Sequence, residues 1–342
     1  MGTDFGELIE PEEISFDHMF NKTVAIDAMN TLYQFLSIIR QSDGTPLKDS
    51  SGNVTSHLSG IFYRNTKLLK KNIKPVYVYD GEAPDLKSKE AKERRKKREK
   101  ARKEWEKLKE KGKEEEAYKK ATQGSKLTSE MIKESKKLLD AMGIPYVQAP
   151  SEGEAQAAYI QKEGYAWAVG SQDWDCLLFG AERLAKNLTI TGKRKISGKK
   201  AYKKVVPEKV ELEKVLDSLG ITYEKLIWMG ILIGTDFNPG GVKGIGPKTA
   251  EKLVKEYEGF GKLLSDEKVE WEHDNSPEEI LKFFKSPPIK EEIKIEHGGV
   301  DREKLKEFLV EKHDFSEKRV ESTLKKLEKS RKESQDDLEN YF

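Results

Sequence analysis

Four short apolar runs, each followed closely by acids, constrain this chain more than any other feature. Residues 23–26 (Thr-Val-Ala-Ile) run into Asp27, and residues 75–79 (Pro-Val-Tyr-Val-Tyr) into Asp80. Residues 145–148 lead to Glu152 and Glu154, and residues 166–170 lead through Ser171 and Gln172 to Asp173 and Asp175. Runs this short, rich in β-branched and aromatic residues, read as buried strands. The stretches 29–39, 61–71, 129–142 and 152–163 have helical spacing, so strand alternates with helix. That alternation predicts an α/β fold, with a mostly parallel central sheet flanked by helices on both faces. Residues 182–206 read as small strands and loops. Beyond them helices dominate, at 210–219, 223–233, 249–257, 277–284, 302–310 and from 316 into the tail.

In such sheets ligands collect at the carboxyl ends of the strands. The polar residues expected there are acids: Asp27, Asp80, Glu152, Glu154, Asp173 and Asp175, joined by Asp236 after the apolar run 231–234. Seven converging carboxylates cannot all stay ionised without cations, because each anion raises the pKa of the others. Hard oxygen donors without His or Cys favour Mg2+ or Mn2+, and the number suffices for two ions. Each acid also has a local reading. Ser151 and Glu154 have capping-box spacing, Asp27 and Asp80 suit strand-ending turns, and Asp173-x-Asp175 lacks the Gly and Glu of a calcium loop. One shared metal site accounts for all seven, and two divalent ions suit in-line hydrolysis of a phosphodiester.

Charge is unevenly spread. Residues 87–120 hold 17 Lys and Arg against nine Glu, a surplus of eight, while the remainder, with 46 basic and 52 acidic residues, carries six negative charges. A solvated helix laced with i,i+4 pairs and a nucleic-acid patch both fit such a run. No apolar window approaches the roughly 20 residues of a spanning helix, so no membrane role is expected. The first ten residues carry acids and no leader pattern, and the single Cys176 allows no internal disulfide. A reducing, cytoplasmic setting follows.

Residues 240–250 (Gly-Gly-Val-Lys-Gly-Ile-Gly-Pro-Lys-Thr-Ala) fail as a P-loop, because Pro247 separates Gly246 from Lys248. They fit a helix-hairpin-helix, in which Gly244 and Gly246 let backbone N–H groups face a phosphate while Lys243 and Lys248 stand beside the turn. An ordinary glycine turn between packed helices is the other reading.

Taken together, residues 24–30 (Val-Ala-Ile-Asp-Ala-Met-Asn), 77–81 (Tyr-Val-Tyr-Asp-Gly), 149–157, 170–175 and 234–236 with its hairpin closely resemble the flap endonucleases, structure-specific 5′ nucleases of replication and repair. The resemblance runs from residue 1 to the neighbourhood of residue 320, and is least distinctive in the basic segment and in 267–297. It implies a nuclease core with two Mg2+ ions on the seven acids named above. It also implies a helical arch over 82–128 with Lys87 and Arg94 at the scissile phosphate, Tyr33 stacked on a displaced base, and Gly2 near the site. Tyr33 equally has the spacing of a core residue. The implied organisation is one nuclease domain over 1–325, divided into an N-terminal nuclease region 1–100, the arch, an internal region 129–227 and a helix-hairpin-helix region 228–262. A tail occupies 326–342.

The last eight residues fit Q-x-x-L-x-x-Y-F and resemble a sliding-clamp-binding motif, with Gln335, Leu338, Tyr341 and Phe342 as its anchors. Ending without the basic extension of eukaryotic members suggests an archaeal source. The expectation is a monomeric, nucleoid-associated enzyme that cuts branched DNA at a 5′ flap and also acts as a 5′–3′ exonuclease. A junction nuclease, a metal-dependent ribonuclease and a non-catalytic adaptor recruiting the clamp are the rivals.

Overall fold

The structure is a computed structural model and describes residues 3–41, 43–111, 116, 120, 124, 126–189, 192–195 and 202–339. Its centre is a sheet of seven strands in the order β1-β9-β6-β5-β2-β3-β4. They are β1 (Glu12–Glu13), β2 (Thr23–Asp27), β3 (Lys74–Tyr79), β4 (Tyr146–Gln148), β5 (Ala168–Gly170), β6 (Arg183–Lys186) and β9 (Glu208–Glu211). β2 lies parallel to both β3 and β5, with Ala25 opposite Val76 and Val169. β3 is parallel to β4, and β5 to β6. β9 runs antiparallel to β6 and to β1, which closes one side of an otherwise parallel sheet. A separate antiparallel pair, β7 (Gly192–Lys195) and β8 (Tyr202–Val205), stands apart.

Because side chains alternate along a strand, each central strand feeds two cores. Val24, Ile26, Tyr77, Tyr79 and Ala168 pack on one face with Leu32, Phe35, Leu58 and Ile61. Ala25, Val76, Val78 and Val169 pack on the other with Leu177, Leu178 and Ile227. The predicted two-sided coverage is therefore present.

The helices are α1 (Ala28–Ile38), α2 (Ser56–Lys70), α3 (Ser88–Glu110), α4 (Ser129–Ala141), α5 (Gly153–Lys162), α6 (Asp175–Leu178), α7 (Leu212–Leu219), α8 (Tyr223–Ile233), α9 (Pro247–Glu256), α10 (Phe260–Leu264), α11 (Pro277–Lys285), α12 (Arg302–Lys306) and α13 (Glu317–Glu339). None among the described residues is long and apolar enough to cross a membrane.

Two local expectations fail, and one alternative local reading does not hold. Val210 belongs to strand β9, so α7 begins at Leu212. The periodicity through 302–310 breaks into a π turn at Glu307–Glu311. The capping box at Ser151 does not form: Glu152 is the N-cap of α5, without a side-chain cap bond, and the buried Ser151 hydroxyl has no hydrogen-bond partner among the described residues.

Candidate metal centre and nucleic-acid interface

Parallel register brings the carboxyl ends of β2, β3, β4 and β5 to one edge, and the predicted acids follow from those ends. Asp27 closes β2 and caps α1, its Oδ1 accepting the Asn30 N–H at 3.0 Å, while the Ser171 hydroxyl donates to Oδ2 at 3.4 Å. Asp80 follows β3 and accepts the Gly153 N–H at 2.9 Å. A Cβ at residue 153 would stand 2.6 Å from the same Asp80 oxygen, so a side chain there would have to turn the Asp80 carboxylate away from the start of α5. Asp173 follows β5 and accepts from Asn30 Nδ2 at 2.5 Å. Asp175 opens α6 and accepts the Thr3 N–H at 2.7 Å, which draws the start of the chain against the site. Asp236 follows α8. Its Oδ2 lies 3.2 Å from the Lys87 ammonium, which bonds Glu152 at 2.5 Å and stands 5.4 Å from the Phe237 ring centroid.

Burial and mutual repulsion dominate the electrostatics. The Asp27 carboxyl is pushed up to about 8 by burial, with the Asp80 and Asp173 charges adding to it. Burial, then Asp236, raises Asp175 to about 7, against the Thr3 N–H that favours its anion. Glu154 is driven well above the carboxylate range by burial and by Asp175 and Asp27. Burial also raises Asp80, although Asp80 keeps a solvent-accessible side, and the Lys87 ammonium and Gly153 N–H oppose the shift. Glu152 rises by burial, partly offset by Lys87. For Lys87 burial disfavours the charge, yet Glu152 and Asp236 hold its pKa above the usual lysine value.

Among the described residues no three His, Cys, Asp or Glu side chains already stand around one point able to hold a metal ion. The carboxylates spend lone pairs instead on N–H groups, a hydroxyl and the Lys87 ammonium. The chemistry of the donor set nonetheless fits hard divalent cations. The donors are all oxygen, and the raised pKa values of Asp27, Asp80, Glu152, Glu154 and Asp175, caused by burial and then by neighbouring negative charge, are a cost that such a cation would relieve by displacing protons.

The second predicted element also folds as expected. The turn between α8 and α9 leaves Lys243, Gly244, Gly246 and Lys248 exposed, while Val242, Ile245 and Ala250 are buried. Gly246 caps α9 with Pro247 in its first turn. Val242 N–H donates to Leu232 O at 2.8 Å, and at φ +60 a Cβ on Gly241 would strike the Ile233 backbone at 2.3 Å, so the turn can press on α8 only through glycine. The buried Asn238 locks it, donating to Ile231 O at 2.7 Å and accepting from the Thr235 hydroxyl at 2.7 Å.

Tyr33 is half-buried on α1, one turn beyond Asn30. Arg94 falls within α3, and its side chain lies outside the described residues, as do those of Gln335 and Leu338 in the last turns of α13. Gly2, Tyr341 and Phe342 lie wholly outside them. Sequence reasoning missed Thr3, Asn30, Ser171, Gly153 and Asn238. Of these Asn30 carried a usable signal, since it stands three residues after Asp27, where an N-cap carboxylate finds its N–H.

Comparison with known proteins agrees with this geometry. Residues 5–101 match the XPG N-terminal domain and residues 143–236 the XPG I-region. Flap endonuclease 1 of Aeropyrum pernix is 50% identical over 337 residues, covering 97% of this chain and 96% of that protein. Flap endonuclease 1 of Pyrococcus furiosus is 49% identical over 343 residues, covering 100% and 99%. The solved flap endonuclease-1 from Methanococcus jannaschii superposes with a TM-score of 0.75 at 41% identity, over 96% of this chain and 98% of that one. An acid-lined sheet edge, a glycine hairpin and full-length similarity to archaeal relatives thus converge: the chain belongs to the flap endonuclease family of metal-dependent nucleases.

Proposed function

We propose that this flap endonuclease hydrolyses one phosphodiester of a 5′ flap strand where single strand meets duplex, leaving a 5′ phosphate, and that it also works as a 5′–3′ exonuclease. The observation that carries the reading is the gathering of carboxylates from separate stretches of chain at one sheet edge, two of them pushed to about 8 and about 7. Asp27, Asp80, Glu152, Glu154, Asp173, Asp175 and Asp236 would hold two Mg2+ ions, for which Mn2+ can substitute, after side-chain rotation and release of the Lys87 ammonium. Bound there, the ions supply a lowered pKa for the attacking water and positive charge for the attacking and leaving oxygens.

The chain's own groups do the rest. Lys87, freed from Glu152 and Asp236, turns to the scissile phosphate with Arg94 and balances its developing charge. Tyr33 offers a ring face to an unpaired base. Lys243, Gly244, Gly246 and Lys248 grip the duplex backbone without reading sequence. The parts are those of one nuclease domain over 1–325, with 82–128 as an arch for the single strand, and a cytoplasmic place beside the nucleoid fits the substrate.

A Mg2+ titration on an end-labelled double-flap DNA should give one cut at the junction and none without divalent ion. Equal cutting of bubbles or four-way junctions would make the chain a junction nuclease instead.

Gln335, Leu338, Tyr341 and Phe342 form the proposed sliding-clamp contact, with a charged helix, α13, leading to it. Deleting residues 335–342 should abolish stimulation by the clamp and spare basal cutting. Stimulation that survives the deletion refutes this contact.

A further inference from the structure

A short loop in the stretch with the weakest sequence signal ties two parts of the site together. The half-buried Asn275 donates from Nδ2 to two carbonyls, Leu86 O at 2.8 Å and Phe237 O at 2.6 Å. Leu86 immediately precedes Lys87, and Phe237 immediately follows Asp236. One planar amide thus clamps the backbone at the foot of α3 to the backbone behind Asp236, across the 3.2 Å contact between the Lys87 ammonium and Asp236.

The amide is itself held in place. Trp271 Nε1 donates to Asn275 O at 2.9 Å, the Trp271 and His273 rings meet edge to face, and His273 Nε2 lies 2.8 Å from Gly241 O in the hairpin. On its other side Ser276 and Glu279 form a capping box that fixes the start of α11.

We infer that Asn275 is a positioning residue for Lys87. By fixing Leu86 against Phe237, it sets where the Lys87 ammonium stands relative to Asp236 and Glu152, and hence to a phosphate bound there. The inference rests on the role proposed above for Lys87. Alanine supplies no donor to these carbonyls. Aspartate has the same shape but turns acceptor oxygens toward two acceptors. Displacing a charged catalytic group by ~1 Å costs up to roughly 100-fold in rate.

The test is a double-mutant cycle read by single-turnover cleavage, with DNA affinity and melting temperature measured alongside. Asn275→Ala and Asn275→Asp should each slow cleavage about tenfold at unchanged DNA affinity. In a Lys87→Met background, Asn275→Ala should change the rate by less than about twofold, because the group it positions is gone. An equal fold-loss in both backgrounds overturns the inference and leaves Lys87 in its role, as does a rate loss that only tracks melting temperature. A Lys87→Met enzyme as fast as wild type removes the role of Lys87 and the inference with it.

Discussion

Asp175→Ala will bind flap DNA as tightly as the parent and cleave it about 1000-fold more slowly, the scale of losing a preorganised electrostatic contact to the reacting group. Asp175 is 3% exposed and receives the Thr3 N–H, and its neighbours Asp236 and Asp173 help hold its pKa at about 7. A buried side chain kept at such electrostatic cost is what supports the proposal of Asp175 as a cation ligand rather than a packing element. Asp175→Asn separates the two, since its amide oxygen can still accept from Thr3 while the charge is lost. It should fold like the parent and cleave as poorly as the alanine variant. Single-turnover cleavage at saturating Mg2+ and fluorescence anisotropy check both, and near-parental turnover in either variant would take Asp175 out of the site.

The second large effect is on stability. An acid whose folded pKa is raised binds more protons in the folded than in the unfolded chain between the two values. For Asp27 those values are 3.8 and about 8. Its contribution is therefore fully present below the unfolded value and is lost as pH rises through the folded one. Asp175 behaves alike, from 3.8 to about 7. In chelator, the melting temperature should fall as pH is raised through neutrality. Asp27→Asn should melt at least about 2 °C above the parent at alkaline pH, with the difference vanishing in acid. The substitution keeps a competent N-cap for α1, so helix capping does not confound the comparison. Adding Mg2+ should reverse the order, because only the parent gains the ion's stabilisation. A melting temperature that is flat or rising with pH in chelator would contradict the crowding of like charges described here.

Strands β2 to β5 and the acids were legible because each is a short run that stops at an acid, as β2 and β3 do, or leads to one within a few residues, as β4 and β5 do. The position of the acid after the strand, not its chemical identity, carried that signal. The turn between α8 and α9 was legible from Gly244 and Gly246, whereas the tighter requirement at Gly241, where a Cβ would strike the Ile233 backbone, shows only in the structure. What escaped was whatever depends on contacts between distant residues. β9 has the charged pattern Glu-Lys-Val-Glu and exists because β6 and β1 supply its hydrogen bonds, so local periodicity mistook Val210 for a helix start. Ser151 has the spacing of a cap, but Gly81 N–H binds its carbonyl and holds the chain where its hydroxyl cannot reach the helix. Thr3 and Asn275 act on partners far away in sequence, so nothing in their neighbourhoods announces them, and the spacing that flags the Asn30 N–H says nothing of its side chain's bond to Asp173.

The whole excursion from Asp80 to the start of β4 leaves and re-enters the sheet between adjacent strands: Tyr77 faces Tyr146, and Tyr79 faces Gln148. Both ends of that detour are thus anchored in one ladder. That pairing, together with the bond from Gly153 N–H to Asp80, sets where Asp80 stands relative to the start of α5 by hydrogen bonds outside the detour itself.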